Sequence, residues 1–174
     1  MRAFAYALVA LLAACAQLES KVPQDVQFDL SGRLAARYGN ESFSGNLAWR
    51  HAKSSDEMLI TSALGAGVAR LVREGEEIIL STAEPKEYRA ADAEALTEEV
   101  LGFRVPLAGL ADWVRGRPSE KAPAKTDYGD DGRLRSLEQA GWKIDYLQYE
   151  GRLPSRMRLS YPGIELRLAI SQWK

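Results

Sequence analysis

From residue 26 onward the chain alternates apolar and polar side chains with period two, a pattern that suits an extended strand with one buried face. Val26, Phe28, Leu30, Gly32 and Leu34 share one side of a first segment, and Phe43, Gly45, Leu47 and Trp49 repeat the pattern in a second. Met58 to Ile60, Val68 to Val72 and Ile78 to Leu80 are three further short candidates. Towards the C-terminus, residues 133–139 run into an Ala140-Gly141 turn signal, followed by a strand with Trp142, Ile144 and Tyr146 on one face. Met157, Leu159 and Tyr161 then lead through Pro162-Gly163 into Ile164, Leu166, Leu168 and Ile170. Pro-Gly suits a type II turn, because proline presets φ at the first central position and glycine accepts a positive φ at the second. Many short alternating strands separated by turns predict an antiparallel sheet, curled or closed into a barrel or a sandwich.

The rhythm breaks once. From Asp92 the spacing becomes helical, with Ala93, Leu96, Val100 and Leu101 on one face, acids in the first turn and Gly102 after the end. A second short helix is predicted from Pro106 to Arg115, with Leu107, Leu110, Ala111 and Val114 on one face and Trp113 beside it. Gly116 and then Pro118 would end it. The apolar faces of two such helices need covering, and the concave side of the sheet can cover them. Residues 117–125 (RPSEKAPAK) read as a polar loop and the best candidate for a flexible insertion.

The N-terminus is of a different kind. Met1-Arg2 is followed by an unbroken apolar run from Ala3 to Ala14, shorter than the ~20 residues that cross a bilayer. A positive start and a short apolar run ending in Leu12-Ala13-Ala14-Cys15 predict a signal peptide over residues 1–14 and a lipobox with Cys15 as the lipid acceptor. The thiolate is the side-chain nucleophile suited to that transfer. Ala16 and Gln17 follow, with no aspartate of the inner-membrane retention type, which predicts export to the outer membrane. Residues 15–26 then read as a lipidated tether, of which ten extended residues reach ~35 Å. The folded domain is expected over residues 27–174.

Removing the first 14 of 174 residues leaves 160, enough for one domain, with 22 basic against 24 acidic side chains. A net charge of −2 argues against a nucleic-acid partner. Cys15 is the sole cysteine, so disulfides and cysteine-ligated metals are excluded. The one histidine, His51, reads as a solvated strand-end residue. No G-x-S-x-G occurs, Gly65-Ala66-Gly67 lacks the helix of a phosphate loop, and Glu76-Glu77 and Asp130-Asp131 sit in turn-like surroundings. No catalytic constellation and no metal or cofactor site emerges, apart from a covalent lipid on Cys15.

Several motifs, in order, resemble the outer-membrane lipoprotein receptor family LolB over nearly the whole mature chain. They are FDLSGRL from Phe28, NLAWR from Asn46, LITSALG from Leu59 and YRAADAEAL from Tyr88. The most specific are LGFRVPLAGLADWVRG from Leu101 and GWKIDY from Gly141, followed by Leu153-Pro154 and ISQW from Ile170. The resemblance implies a mainly β (α+β) fold, an unclosed antiparallel β-barrel with two or more helices as a lid over an apolar cavity. It implies a monomer that accepts cargo lipoproteins from the periplasmic carrier LolA and inserts them into the inner leaflet of the outer membrane, facing the periplasm. By the same resemblance Trp49, Trp113, Trp142, Leu47, Ile60, Leu96, Leu110 and Ile144 would bind acyl chains; from the residues alone the three tryptophans read as core, and only the resemblance brings the two readings level. Leu64 would sit on a protruding loop that enters the membrane, with Ala63 where the family pattern has proline, which predicts a looser loop.

The chemistry suits that role. At ~0.8 kcal/mol per methylene, exposing one palmitoyl-length chain to water costs on the order of 12 kcal/mol, so an unshielded lipoprotein cannot cross an aqueous space. Two alternatives stay open: a structural or assembly lipoprotein that docks other proteins, and a carrier of another lipid. A receptor requires an apolar cavity and an exposed Leu64; a docking module requires a filled core and an apolar patch outside.

Overall fold

A computed structural model describes residues 25–84, 86–101 and 104–174. The expected signal peptide, Cys15, nearly all of the tether and Gly102 lie outside the described residues.

The strands are β1 (Val26–Tyr38), β2 (Glu41–Ala52), β3 (Ser55–Ser62), β4 (Gly67–Glu74), β5 (Glu77–Thr82) and β6 (Glu87–Ala90). Two helices follow, α1 (Ala93–Leu101) and α2 (Leu107–Trp113). Then come β7 (Ala124–Tyr128), β8 (Leu134–Gln139), β9 (Trp142–Glu150), β10 (Leu153–Tyr161) and β11 (Ile164–Trp173). They form one eleven-stranded sheet in the order β6-β5-β4-β3-β2-β1-β11-β10-β9-β8-β7, antiparallel throughout. The edge strands β6 and β7 do not pair, so the barrel stays open, as expected.

The sheet curls because its central strands allow it. A Cβ on Gly32 would overlap the Ala169 carbonyl oxygen, and one on Gly45 the Thr61 carbonyl oxygen. These glycines sit on the inner face in register with Leu47 and Leu34, and a bulge at Ser31–Gly32 adds local bend. Both turns named from the sequence carry the required backbone: Gly163 has φ 80°, and Ala140 and Gly141 have φ 52° and 79°. Two positive φ values in succession match a type I′ hairpin, which suits the strand twist but costs Ala140, an L-residue with a Cβ, some strain.

Three expectations are corrected. Strand β1 runs past Leu34 to Tyr38, because β2 and β11 flank it and supply pairing whatever its side-chain pattern. Strands β6 and β7 were not expected. Every residue of β7 is exposed, so no alternation exists to read, and its order comes from backbone pairing to β8. The segment expected to be a flexible loop through Lys125 instead enters β7 at Ala124.

Both helices lie across the concave side. Asp92 caps α1, its Oδ1 accepting the Glu94 amide at 2.9 Å, and Gly116 (φ 76°) follows the last turn after α2. The β1–β3 and β8–β11 inner faces together with Ala111, Trp113 and Val114 make a large apolar cluster. Leu96, Val105 and Leu107 make a smaller one over Leu71, Ile78 and Leu80. All strand pairs and both clusters fall within residues 26–174, so this segment carries its own core.

Candidate functional site

The concave interior is closed by seven residues of α2 and nine of α1. Its first anchor is Trp113, which the sequence placed beside the apolar helix face and the structure places at the centre of it, 1% exposed. The indole Nε1 donates to Gln139 Oε1 at 2.7 Å, and Tyr146 Oη donates to the Trp113 carbonyl at 2.9 Å. Gln139 also accepts the Ser119 amide at 2.9 Å and donates to the carbonyls of Ser119 and Ala122 at 2.8 and 2.6 Å. One buried amide therefore satisfies the lid helix and the following loop together. Nothing in the sequence marked Gln139, since a polar residue at a strand end reads as solvated. Residues 117–123, expected to be a free insertion, are tied down by it, and Ser119 is buried. Burial raises the Tyr146 phenol far above its ordinary range and pushes Tyr149, which donates to the Leu134 carbonyl at 2.7 Å, up to about 12.

The second anchor is a charged cluster at the other side of the interior. Asp56 accepts from Trp49 Nε1 at 2.9 Å and Arg73 Nε at 2.7 Å, and lies 2.7 Å from His51 Nδ1. His51 is thus not solvated: its ring also packs on Phe28, with centroids 4.9 Å apart. Burial by itself would raise the Asp56 carboxyl, but hydrogen bonds from His51, Trp49 and Arg73 outweigh it and hold Asp56 below its usual range. Arg115, just past α2, lies 5.5 Å over the Phe28 ring and donates to Gln27 Oε1 at 2.9 Å, tying the lid to β1. A cavity of about 790 Å³ opens beside this cluster, lined by His51, Lys53, Asp56, Arg73, Asp112 and Arg115 among others. Its charged walls make it no place for an acyl chain.

The sequence-named apolar residues all lie inside. Trp49, Trp142, Leu47 and Ile144 are buried in the large cluster, with Ile60 partly buried against it. Leu96 is the buried centre of the small cluster. Leu110 packs against both, as does Met58, so these two residues form the seam between the clusters. The interior around the tryptophans is filled, at 2%, 1% and 2% exposure for Trp49, Trp113 and Trp142. Among the described residues no group of His, Cys, Asp and Glu suited to hold a metal is present.

Leu64 stands apart from all of this at 98% exposure. It occupies the tip of the β3–β4 hairpin, where Gly65 N donates to Ser62 O at 2.9 Å and Ser62 N to Ala66 O at 2.8 Å. The Ala66 amide adds a bond to Ser62 Oγ at 3.2 Å. Ala63 therefore sits at the first central position of a hydrogen-bonded turn, and Gly65 supplies the positive φ, 87°, that the exit needs. A leucine fully in water on a tied hairpin gains nothing for the fold.

An open, strongly bent antiparallel sheet closed on its concave side by two short helices is a half-barrel, and solved structures share this fold, a LolA superfamily protein among them. That protein, from Nitrosomonas europaea, superposes with a TM-score of 0.51, covering 87% of this chain and 86% of its own at 12% identity. A DUF1329 family protein from Desulfovibrio piger gives 0.52 over 88% and 86% at 9% identity. The chain belongs to the family described as outer membrane lipoprotein LolB, whose model matches residues 26–173. Relatives named outer-membrane lipoprotein LolB are 41% identical in Thiobacillus denitrificans, over 88% of this chain and 83% of the relative, and 39% identical in Nitrosomonas europaea, over 84% and 72%. A third, from Azoarcus, is 37% identical over 95% and 90%.

Proposed function

We propose that this chain is a lipid-anchored receptor of the outer membrane that takes lipoproteins from a periplasmic carrier of the LolA type and passes their acyl chains into the inner leaflet. The lipid on Cys15 holds it there, and residues 15–26 are the tether. The observation that carries this reading is the divided interior: two apolar clusters joined through Met58 and Leu110, with α1 covering the smaller. α2 is pinned to the sheet by Trp113, Tyr146 and Arg115, whereas the described residues of α1 hold it through Leu96 and Ala93 in the smaller cluster and through Thr97, whose Oγ1 accepts the Val105 amide at 2.9 Å. Moving α1 away opens the seam without breaking the large cluster. An acyl chain entering there contacts Leu110, Ile60 and Leu47, backed by Trp49, Trp113, Trp142 and Ile144, and replaces the Leu96 contacts.

The reaction needs no covalent step. Chain transfer runs down a gradient of affinity, from carrier to receptor to bilayer, and Leu64 marks the exit: one leucine buried in lipid is worth ~1.5–3 kcal/mol, enough for a transient insertion. A filled interior is what a docking module requires, so the receptor reading needs its cavity to form as α1 moves. The outer patch that a docking module also requires is lacking among the described residues, where, apart from Leu64, the exposed apolar residues Val26, Tyr38, Leu59, Tyr128 and Leu147 are spread over β1, β3, β7 and β9. The test is a transfer assay with the chain beginning at Ala16, mixed with lipoprotein-loaded carrier. Movement of cargo onto the chain, and from it into liposomes, supports the receptor; retention of all cargo on a carrier that releases to another acceptor rejects it.

A further inference from the structure

The convex face of the sheet carries a cluster of four arginines, three of them without an ion pair among the described residues. Arg33 on β1, Arg156 and Arg158 on β10 and Arg167 on β11 alternate with inward residues Leu34, Met157 and Leu168. Arg158 lies directly opposite Arg167 across the β10–β11 ladder, and Ala169 stands between Arg33 and Arg156 in register. Like charges directly opposite each other destabilise a sheet. Of the four, Arg167 alone has an ion pair among the described residues, to Glu165 at 2.7 Å. Asp145, the register partner of Arg158, is engaged by Lys143 at 3.7 Å instead. Arg158 Nε is buried and has no hydrogen-bond partner. A shallow groove of about 380 Å³ runs between these side chains, floored by Ala35 and Ala169, bordered by Leu147 and lined by no carboxylate.

We propose that this face binds the anionic headgroups of a phospholipid bilayer and orients the half-barrel on it. The inference rests on the lipid-anchored reading above. Three observations favour a membrane over an acidic protein. Leu147, 55% exposed, lies among the guanidinium groups, and an apolar residue ringed by long cationic side chains suits the headgroup–acyl boundary. Planar guanidinium groups match phosphate oxygens in pairs. The third is position: Arg33 pairs with Asn46 and Asn46 with Thr61, which places the patch level with the base of the Leu64 hairpin. The strand bearing Arg33 is also the one the tether feeds, and ten extended residues from Cys15 reach ~35 Å. The tether, the Leu64 tip and the arginine face can thus meet one leaflet together. A bound phosphate gives a partner to Arg158, whose buried Nε has none and which lies opposite Arg167.

The test is flotation of the chain beginning at Ala16 with vesicles of phosphatidylethanolamine containing about a quarter phosphatidylglycerol, against vesicles of phosphatidylethanolamine and phosphatidylcholine. Wild type should favour the anionic vesicles. At about fivefold per arginine, the variant R33Q/R156Q/R158Q should lose on the order of 100-fold, and R33K/R156K/R158K, which keeps the charge and loses the paired geometry, should bind between the two. Thermal melting checks that each variant is folded. Equal binding of wild type to both vesicles overturns the proposal, as does a folded triple-glutamine variant that binds like wild type. If that variant binds vesicles normally but no longer takes cargo from the carrier, the face is a protein dock and the proposal falls. If vesicle binding tracks the arginines while wild type takes no cargo, the receptor reading fails and the arginine face stands.

Discussion

Replacing Leu64 with glutamate should separate delivery from everything else the chain does. The side chain is 98% exposed and makes no core contact, so its loss should change folding stability by less than about 0.5 kcal/mol. The hairpin itself is held by main-chain bonds at Gly65, Ser62 and Ala66 that the substitution leaves in place. In the bilayer the same leucine would be worth ~1.5–3 kcal/mol, so its loss should lower the population of the inserted state by about 10- to 150-fold, and the glutamate charge lowers it further. The assay has three readings on one preparation: the urea midpoint, cargo moving from carrier to chain, and cargo moving from chain to liposomes. The first two should match wild type and the third should fall at least tenfold, with Leu64→Ala in between. A variant that unfolds earlier, or loses uptake along with delivery, would show that the leucine is part of the folded interior or the carrier contact. Undiminished delivery would show that the tip does not enter the membrane.

Other substitutions probe the two anchors and the turns. Asp56→Asn removes a carboxylate held below its usual range, and breaking this buried pair should cost about 3 kcal/mol at neutral pH. Because the folded value is depressed, the stabilisation is present above the unfolded value of about 3.9 and is lost as pH falls through the lower folded value. The stability gap between wild type and Asp56→Asn should therefore close in acid, and a gap constant from pH 7 to pH 3 in denaturation curves would contradict the assignment. Gln139→Leu strands the Trp113 indole N–H and the Ser119 amide in a buried site, so a loss on the order of 3 kcal/mol is expected in urea denaturation. Ala140→Asn places a residue that tolerates positive φ at the first position of the hairpin turn, and the urea midpoint should rise by the equivalent of about 1 kcal/mol. Gly32→Ala should lose about 1–3 kcal/mol, because its Cβ meets a backbone oxygen that cannot give way.

Where burial follows side-chain period, the fold was legible. Phe28, Leu47, Trp142 and Met157 fixed strands and faces, and Asp92 and Gly116 marked helix ends, because one-sided burial and capping leave local signals. Strands β6 and β7 left none: an edge strand is ordered by main-chain bonds to a neighbour distant in sequence. His51 was misread, and Gln139 missed, for a related reason. Polar residues at strand ends are usually solvated, and only the approach of α2 and of the Asp56 carboxylate turns them into buried partners. The convex arginines were visible as residues but not as a cluster, since Arg33 and Arg158 become neighbours through the pairing of β1 with β11 and of β11 with β10. The division of the interior at Met58 and Leu110 depends likewise on how helices settle on a sheet, which no pattern along the chain encodes.

The central claim is that acyl chains lodge in the half-barrel at the seam between its two clusters. A photoreactive phenylalanine analogue at Leu110, with a second chain carrying it at the outward-facing Leu59, tests this directly in the presence of carrier loaded with a lipoprotein of radiolabelled acyl chains. The account predicts crosslinking to the label from position 110 and little from position 59, with the signal at 110 lost when liposomes are added. Equal labelling from both positions, or none from 110 while cargo is demonstrably bound, would contradict it.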